Sequence, residues 1–123
     1  MTSPGDAKSR KWILVADDDP AVRSLVVRVL QDAGYAAVGA EDGIAACDLV
    51  EQIFPHLIIL DLHMPRMSGV EFLARWQQIP VLILSGYLSE HRVEQGRPNV
   101  VGVLEKPFDL DVLVAKVREV LGG

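Results

Sequence analysis

The sequence predicts a doubly wound α/β domain, a five-stranded parallel sheet with helices on both faces, and three observations carry that expectation. Short apolar runs alternate with amphipathic stretches about five times along the chain, the pattern of strands joined by crossover helices. The runs Ile13–Ala16, Leu57–Leu60 and Val81–Leu84 are apolar without interruption, as strands covered on both faces must be. The length of 123 residues, with 50% hydrophobic and 24% charged residues, suits one globular domain and excludes two.

The elements follow in order. Trp12–Ala16 is the first strand, ending abruptly at Asp17-Asp18-Asp19-Pro20. A helix should begin there, with Asp19 as N-cap and Pro20 in the first turn, because Val22, Leu25, Val26, Val29 and Leu30 recur at helical spacing up to Gly34. Tyr35–Ala40 is the second strand. Ile44, Ala45, Asp48, Leu49 and Gln52 then mix apolar and polar faces in a helix that Pro55 stops near Phe54. Leu57–Leu60, the third strand, runs into the loop Asp61-Leu62-His63-Met64-Pro65-Arg66-Met67-Ser68-Gly69, followed by a helix over roughly Val70–Gln77. Pro80 opens the fourth strand, Val81–Leu84, which ends in Ser85-Gly86. Leu88–Gln95 is the least regular helical segment, short, polar and weakly periodic. Val100–Leu104 is the fifth strand, and Lys106-Pro107-Phe108 leads into an Asp109-capped helix with Leu110, Leu113, Val114, Val117 and Leu121 on one stripe.

Composition narrows the function classes. Seventeen acidic against twelve basic residues give a net charge of −5, without the basic footprint that direct nucleic-acid binding requires. No apolar run approaches the roughly 18 residues of a membrane span, so no membrane insertion is expected. Met1–Arg10 has no apolar stretch behind its basic end and reads as a flexible leader before a folded domain over residues 11–123. The one cysteine, Cys47, cannot form an internal disulfide, which points to the cytoplasm, and its Ala-rich helical setting makes it a small packing residue.

In an open parallel sheet, ligands bind beyond the carboxyl ends of the strands where the strand order reverses. Those ends carry Asp17 and Asp18, Asp61, Ser85-Gly86 and Lys106-Pro107; only the second strand's end lacks apt chemistry. A turn and an N-cap account for Asp19, but two further acids after a buried strand exceed capping needs. Taken singly, Asp61 reads as loop solvation, Ser85 as a turn residue and Lys106 as a surface lysine; the constellation carries the specificity. Converging carboxylates repel one another and call for a cation, and an all-oxygen donor set favours Mg²⁺. Zinc is disfavoured because His56, His63 and His91 show no ligand spacing. The set suits phosphoryl transfer, with Asp61 the best carboxylate nucleophile, Asp17 and Asp18 toward the metal, and Lys106 and Ser85 on the other flank.

At these residues the chain resembles response-regulator receiver domains of two-component signalling, from Trp12 to Leu121. Ile13-Leu14-Val15-Ala16-Asp17-Asp18-Asp19-Pro20 is similar to the family's acidic-pair segment. Asp61-Leu62-His63-Met64-Pro65 with Ser68-Gly69 is similar to its phosphoacceptor loop, and Ser85-Gly86 and Lys106-Pro107-Phe108 complete the match. The resemblance implies a flavodoxin-like (βα)5 fold with strand order 2-1-3-4-5. It also implies that Asp61 accepts a phosphoryl group from a histidine kinase or histidine phosphotransfer domain. Asp18, Asp61 and the His63 backbone carbonyl would ligate Mg²⁺, with Asp17 acting mainly through water. Ser85, the Gly86 amide and Lys106 would contact the phosphoryl group, and His63 and Tyr87 occupy positions that tune its lifetime. Where the family places an aromatic switch residue, three before the lysine, this chain has Val103, which has no ring to relocate.

No output domain follows the last helix of this sequence. The expectation is a receiver acting through a partner or relay, either alone or as part of a larger regulator or hybrid kinase. Two other readings compete. A haloacid-dehalogenase-type phosphatase would use Asp17 as nucleophile and Asp19 as acid/base, but Pro20-Ala21 and the lack of an acidic pair after Lys106 disfavour it. A non-switching interaction module on the receiver fold would explain Val103 and the irregular fourth helix.

Overall fold

The computed structural model describes residues 10–64, 66, 67, 69–86 and 97–122. Five strands form, β1 (Trp12–Ala16), β2 (Ala36–Ala40), β3 (Leu57–Asp61), β4 (Val81–Ser85) and β5 (Val100–Glu105). They pair in parallel in the order β2-β1-β3-β4-β5, as the resemblance implies. Four helices join or follow them among the described residues, α1 (Pro20–Asp32), α2 (Gly43–Ile53), α3 (Gly69–Arg75) and α4 (Leu110–Leu121). The predicted helix Leu88–Gln95 and the leader before Arg10 lie outside the described residues.

Because side chains alternate across a strand, each central strand feeds two cores. Ile13, Val15, Leu57, Ile59, Leu82 and Leu84 pack with Val26 and Leu30 of α1 and Leu113 and Val117 of α4. Leu14, Ala16, Ile58, Leu60, Val81 and Ile83 pack on the opposite face with Ala46, Cys47 and Val50 of α2 and Phe72 and Leu73 of α3. This double coverage is why β3 and β4 are buried at every position, and why their sequences read as unbroken apolar runs.

Asp19 caps α1 as predicted, its Oδ1 accepting from the Ala21 N–H at 2.9 Å and the Val22 N–H at 3.3 Å, with Pro20 in the first turn. Asp109 caps α4, accepting from the Asp111 N–H at 2.7 Å. A third cap, Asp42 on α2, was not foreseen; it accepts from the Ala45 N–H at 2.8 Å. That cap sets the helix phase, so the inward stripe is Gly43, Ala46, Cys47 and Val50, while Ile44 is 47% exposed. The small inward residues let α2 lie close to the sheet. Phe54 takes a left-handed conformation (φ 47°) just before Pro55 and ends the helix there. Cys47 is buried and packs as expected.

Two boundaries differ from the sequence reading, and one register shift adds to them, in ways that bear on function. Asp61 belongs to β3, not to the loop after it, and is in register with Leu84. Ser85 is likewise the last residue of β4, in register with Glu105. Between Val81 and Leu82 the β4–β5 register shifts, so that Val81 faces Val100 but Leu82 faces Gly102. The extra residue in β5 brings Val103 into register with Ile83 and packs it against the α2/α3 core.

On α1 the apolar spacing does not distinguish Leu25 from Leu30, but Leu25 is 52% exposed and Leu30 fully buried. Leu30→Ala is expected to lower the unfolding free energy by about 2–5 kcal/mol and Leu25→Ala by no more than about 0.5 kcal/mol, measured by denaturant titration.

Candidate functional site

A parallel sheet delivers every strand's carboxyl end to one edge, and here β1 and β3 are neighbours with Ala16 opposite Leu60. The next residues, Asp17 and Asp61, therefore meet at the point where the strand order reverses. Asp17 is fully buried. Its Oδ1 accepts from the Asp19 N–H at 2.9 Å and its Oδ2 from the Lys106 ammonium at 2.9 Å. Asp61 is 5% exposed, with Oδ1 accepting from the His63 N–H at 3.0 Å and Oδ2 from Lys106 at 3.3 Å. Asp18 is exposed at the mouth, and one carboxylate oxygen each of Asp17, Asp18 and Asp61 lie within 4.8 Å of one another.

Lys106 leaves the end of β5, and its N–H donates to the Ser85 carbonyl at 2.9 Å, which ties the β4 and β5 ends together. The Lys106–Pro107 peptide bond is cis. Ser85 is fully buried at the β4 end, and Gly86 beside it is exposed. Among the described residues, no atom lies within 4 Å of where a Cβ on Gly86 would sit. His63 is exposed on the loop leaving β3. Tyr87, Pro65 and Ser68 lie outside the described residues.

Burial pushes the Asp61 carboxyl above its ordinary value; the His63 N–H and the Lys106 charge oppose this, and the nearby Asp17 charge reinforces it. For Lys106, burial works toward a lower value, but the hydrogen bond to Asp17 and the charges of Asp61 and Asp17 outweigh it and raise the ammonium's pKa. Lys106 therefore stays charged at neutral pH. Three carboxylates against one ammonium leave the cluster negative, and the donor set is all oxygen. These residues fit a hard divalent cation such as Mg²⁺ and offer no soft ligand.

Two positioning features were not foreseen. Arg23 Nη1 donates to the Asp17 carbonyl at 2.9 Å, fixing the backbone that carries the acidic pair. Its stem crosses Gly39, where an added Cβ would come within 2.9 Å of the Arg23 Cγ. The available sequence signal was a glycine inside an apolar strand, which often marks a close approach. Asp17 N–H also donates to the Ala40 carbonyl at 3.1 Å, so the end of β2 holds Asp17 from that side.

Comparison with known proteins agrees with this geometry. The family described as response regulator receiver domain matches residues 13–118. The response regulator MprA of Mycobacterium sp. (strain KMS) is 37% identical over 114 residues, covering 89% of this chain and 50% of that protein. The DNA-binding dual master transcriptional regulator RpaA of Synechocystis is 37% identical over 117 residues, covering 89% of this chain and 48% of that protein. This chain thus spans about half the length of the curated relatives it matches. Among solved structures, the chemotaxis protein CheY4 of Vibrio cholerae superposes with a TM-score of 0.82 at 31% identity, covering 91% of this chain and 99% of that one. The Thermotoga maritima response regulator TrrA, solved in complex with Mg²⁺ and BeF, gives a TM-score of 0.76 at 32% identity, covering 89% of this chain and 98% of that one.

The chain belongs to the response-regulator receiver domain family. It is a receiver of two-component signal transduction, a class of phosphoacceptor switches phosphorylated by histidine kinases and binding Mg²⁺ at an acidic pocket. Among the described residues, no helix is long and apolar enough to cross a membrane.

The Asp61 shift has a definite sign in stability. Its folded-state pKa lies above the ordinary 3.8, so the ionised carboxylate disfavours folding at pH values above the raised pKa, and that penalty fades as pH falls toward 3.8. In metal-free buffer, Asp61→Asn is expected to melt at a higher temperature than the wild type at pH 7. The gap should close as the pH approaches 4, checked by thermal denaturation across that range.

Proposed function

We propose that this receiver accepts a phosphoryl group on Asp61 from a phosphohistidine of a histidine kinase or phosphotransfer domain, in a Mg²⁺-dependent reaction that serves as a signalling or relay switch. The observation that carries this reading is the Lys106 ammonium shared between Asp17 and Asp61, at 2.9 and 3.3 Å, beside a cluster of three carboxylates. Asp61 is the nucleophile: a carboxylate oxygen attacks phosphorus in line, the P–N bond breaks, and the imidazole leaves with the bonding pair. Asp18, Asp61 and the His63 carbonyl would hold the metal, with Asp17 supporting it mainly through water. When bound, Mg²⁺ supplies charge neutralisation for the transferring group.

Lys106 keeps Asp61 oriented before transfer and pairs with the phosphoryl oxygens afterwards. Ser85, at the neighbouring strand end, supplies a hydroxyl donor, and Gly86 has no side chain to keep the phosphoryl group from its amide. His63 and Tyr87, two residues beyond Asp61 and Ser85, occupy the sequence positions that tune the lifetime of the acyl phosphate. The receiver domain comprises residues 11–123 and works in the cytoplasm. The solved Mg²⁺–BeF complex of the related TrrA supports the metal assignment. The phosphatase alternative loses its footing because Asp17 is fully buried against Lys106 and Asp19 is spent on capping α1.

A non-switching interaction module remains the second reading, favoured by one observation. Val103 is already packed on the α2/α3 core and has no ring to move between exposed and buried positions.

Intact mass spectrometry with acetyl phosphate is expected to show a phosphoryl adduct that requires Mg²⁺ and is absent in Asp61→Asn. No adduct under any condition would favour the non-switching module. Lys106→Met should separate binding from chemistry. Removing the competing cation is expected to tighten Mg²⁺ binding roughly tenfold while slowing adduct formation, read by Mg²⁺ titration of tryptophan fluorescence and by the mass time course.

A further inference from the structure

The loop leaving Asp61 is tied to the first turn of α2 by contacts that the reaction itself does not use. Arg66 Nε lies 3.5 Å from Asp42 Oδ2. Asp42 is only 4% exposed, and its other oxygen is engaged in capping α2. Arg66 holds a left-handed backbone (φ 68°), a conformation unfavourable for a residue with a Cβ and retained only where surrounding contacts impose it. The next residue, Met67, rests its carbonyl and Cβ directly on Gly43, where any added Cβ would overlap both. Met67 Sδ then reaches Cys47 Sγ at 3.6 Å, and the Trp76 indole N–H donates to the same sulfur at 3.3 Å.

The near end of the loop is held differently, by the His63 N–H on Asp61 Oδ1 at 3.0 Å. His63 therefore sits between two anchors, one on the nucleophile and one on α2. An ion pair to a nearly buried carboxylate, a strained arginine backbone and a glycine vacated for a carbonyl converge on two adjacent pairs, Asp42-Gly43 at the start of α2 and Arg66-Met67 on the loop. Helix capping alone explains none of the last three features, since Asp42 caps α2 without Arg66.

We propose that Asp42, Gly43 and Arg66 form a latch that positions the His63 backbone relative to Asp61 and thereby sets the divalent-cation affinity of the site and its rate of phosphoryl acceptance. This rests on the phosphoacceptor reading of Asp61. The three are positioning residues; none touches the reacting atoms.

The test compares wild type with Arg66→Gln, Arg66→Lys, Asp42→Asn and the double variant Arg66→Gln/Asp42→Asn. Mg²⁺ affinity is read from tryptophan fluorescence, with Trp76 adjoining the latch, and acceptance from the mass time course with acetyl phosphate. Asn caps a helix about as well as Asp, so Asp42→Asn leaves α2 capped and the melting temperature nearly unchanged. A latch predicts that Arg66→Gln and Asp42→Asn each weaken Mg²⁺ binding by about three- to fivefold. Acceptance should slow with them, the double variant should be no worse than either single one, and Arg66→Lys should recover most of the loss. A long-range charge effect without positioning would move the two single variants in opposite directions, because losing a cation tightens Mg²⁺ and losing an anion weakens it. That result, or wild-type affinity in both variants, overturns the latch while leaving the phosphoacceptor reading intact. A wild type that neither responds to Mg²⁺ nor forms an adduct overturns both.

Discussion

One ammonium holds the site together. Lys106 lies between two nearly buried carboxylates, Asp17 just past the end of β1 and Asp61 at the end of β3, and its charge offsets the repulsion between them away from water. The rest of the structure serves that arrangement. The parallel sheet brings the ends of β1, β3 and β5 to one edge, and the Lys106 N–H bond to the Ser85 carbonyl locks the lysine's backbone to β4. The two cores on either side of the sheet make those strand ends rigid. Asp61 and Ser85 are strand residues held in register, so this carboxylate and this hydroxyl are positioned by the most buried part of the molecule.

The β2–α2 connection carries no reactive group, yet it braces both carboxylate loops. Gly39 makes room for the Arg23 stem that reaches the Asp17 carbonyl, and Ala40 accepts the Asp17 N–H. Asp42 and Gly43 receive Arg66 and Met67 from the loop after Asp61. A charged cluster that must admit a cation gains from such bracing, because donors already in place need not be reorganised when the ligand arrives. The small side chains at these positions reflect close approach more than flexibility.

Much of the site was legible because its chemistry lies at places that sequence patterns mark. Apolar runs end where strands end, so Asp17, Asp18, Asp61 and Ser85 stand out as polar residues following buried ones, and Lys106 follows the apolar run of β5 after one exposed Glu105. The caps Asp19 and Asp109 were legible for the same reason, each preceding a helical repeat. Asp42 was not, since Ala and Gly around it blur where α2 begins, and the mixed pattern of Ile44, Ala45, Asp48, Leu49 and Gln52 did not single out the buried stripe Gly43, Ala46, Cys47 and Val50. Arg23 and Arg66 escaped because a surface-like arginine carries no pattern of its own. Their roles depend on what the folded chain places within reach.

The sequence by itself determined the parallel α/β architecture, the order of the elements and the polar residues gathered at the carboxyl edge of the sheet, because these follow from local periodicity and from which residue types end each strand. Only the tertiary structure decided which of those residues touch, that Asp61 is a strand residue and not a loop residue, that an extra residue in β5 turns Val103 toward the α2/α3 core, and that the chemically silent end of β2 braces the site. Those outcomes depend on register and on contacts between segments far apart in the chain, such as Lys106 with Asp17. Short-range pattern holds no record of such distances; packing two cores against one sheet sets them.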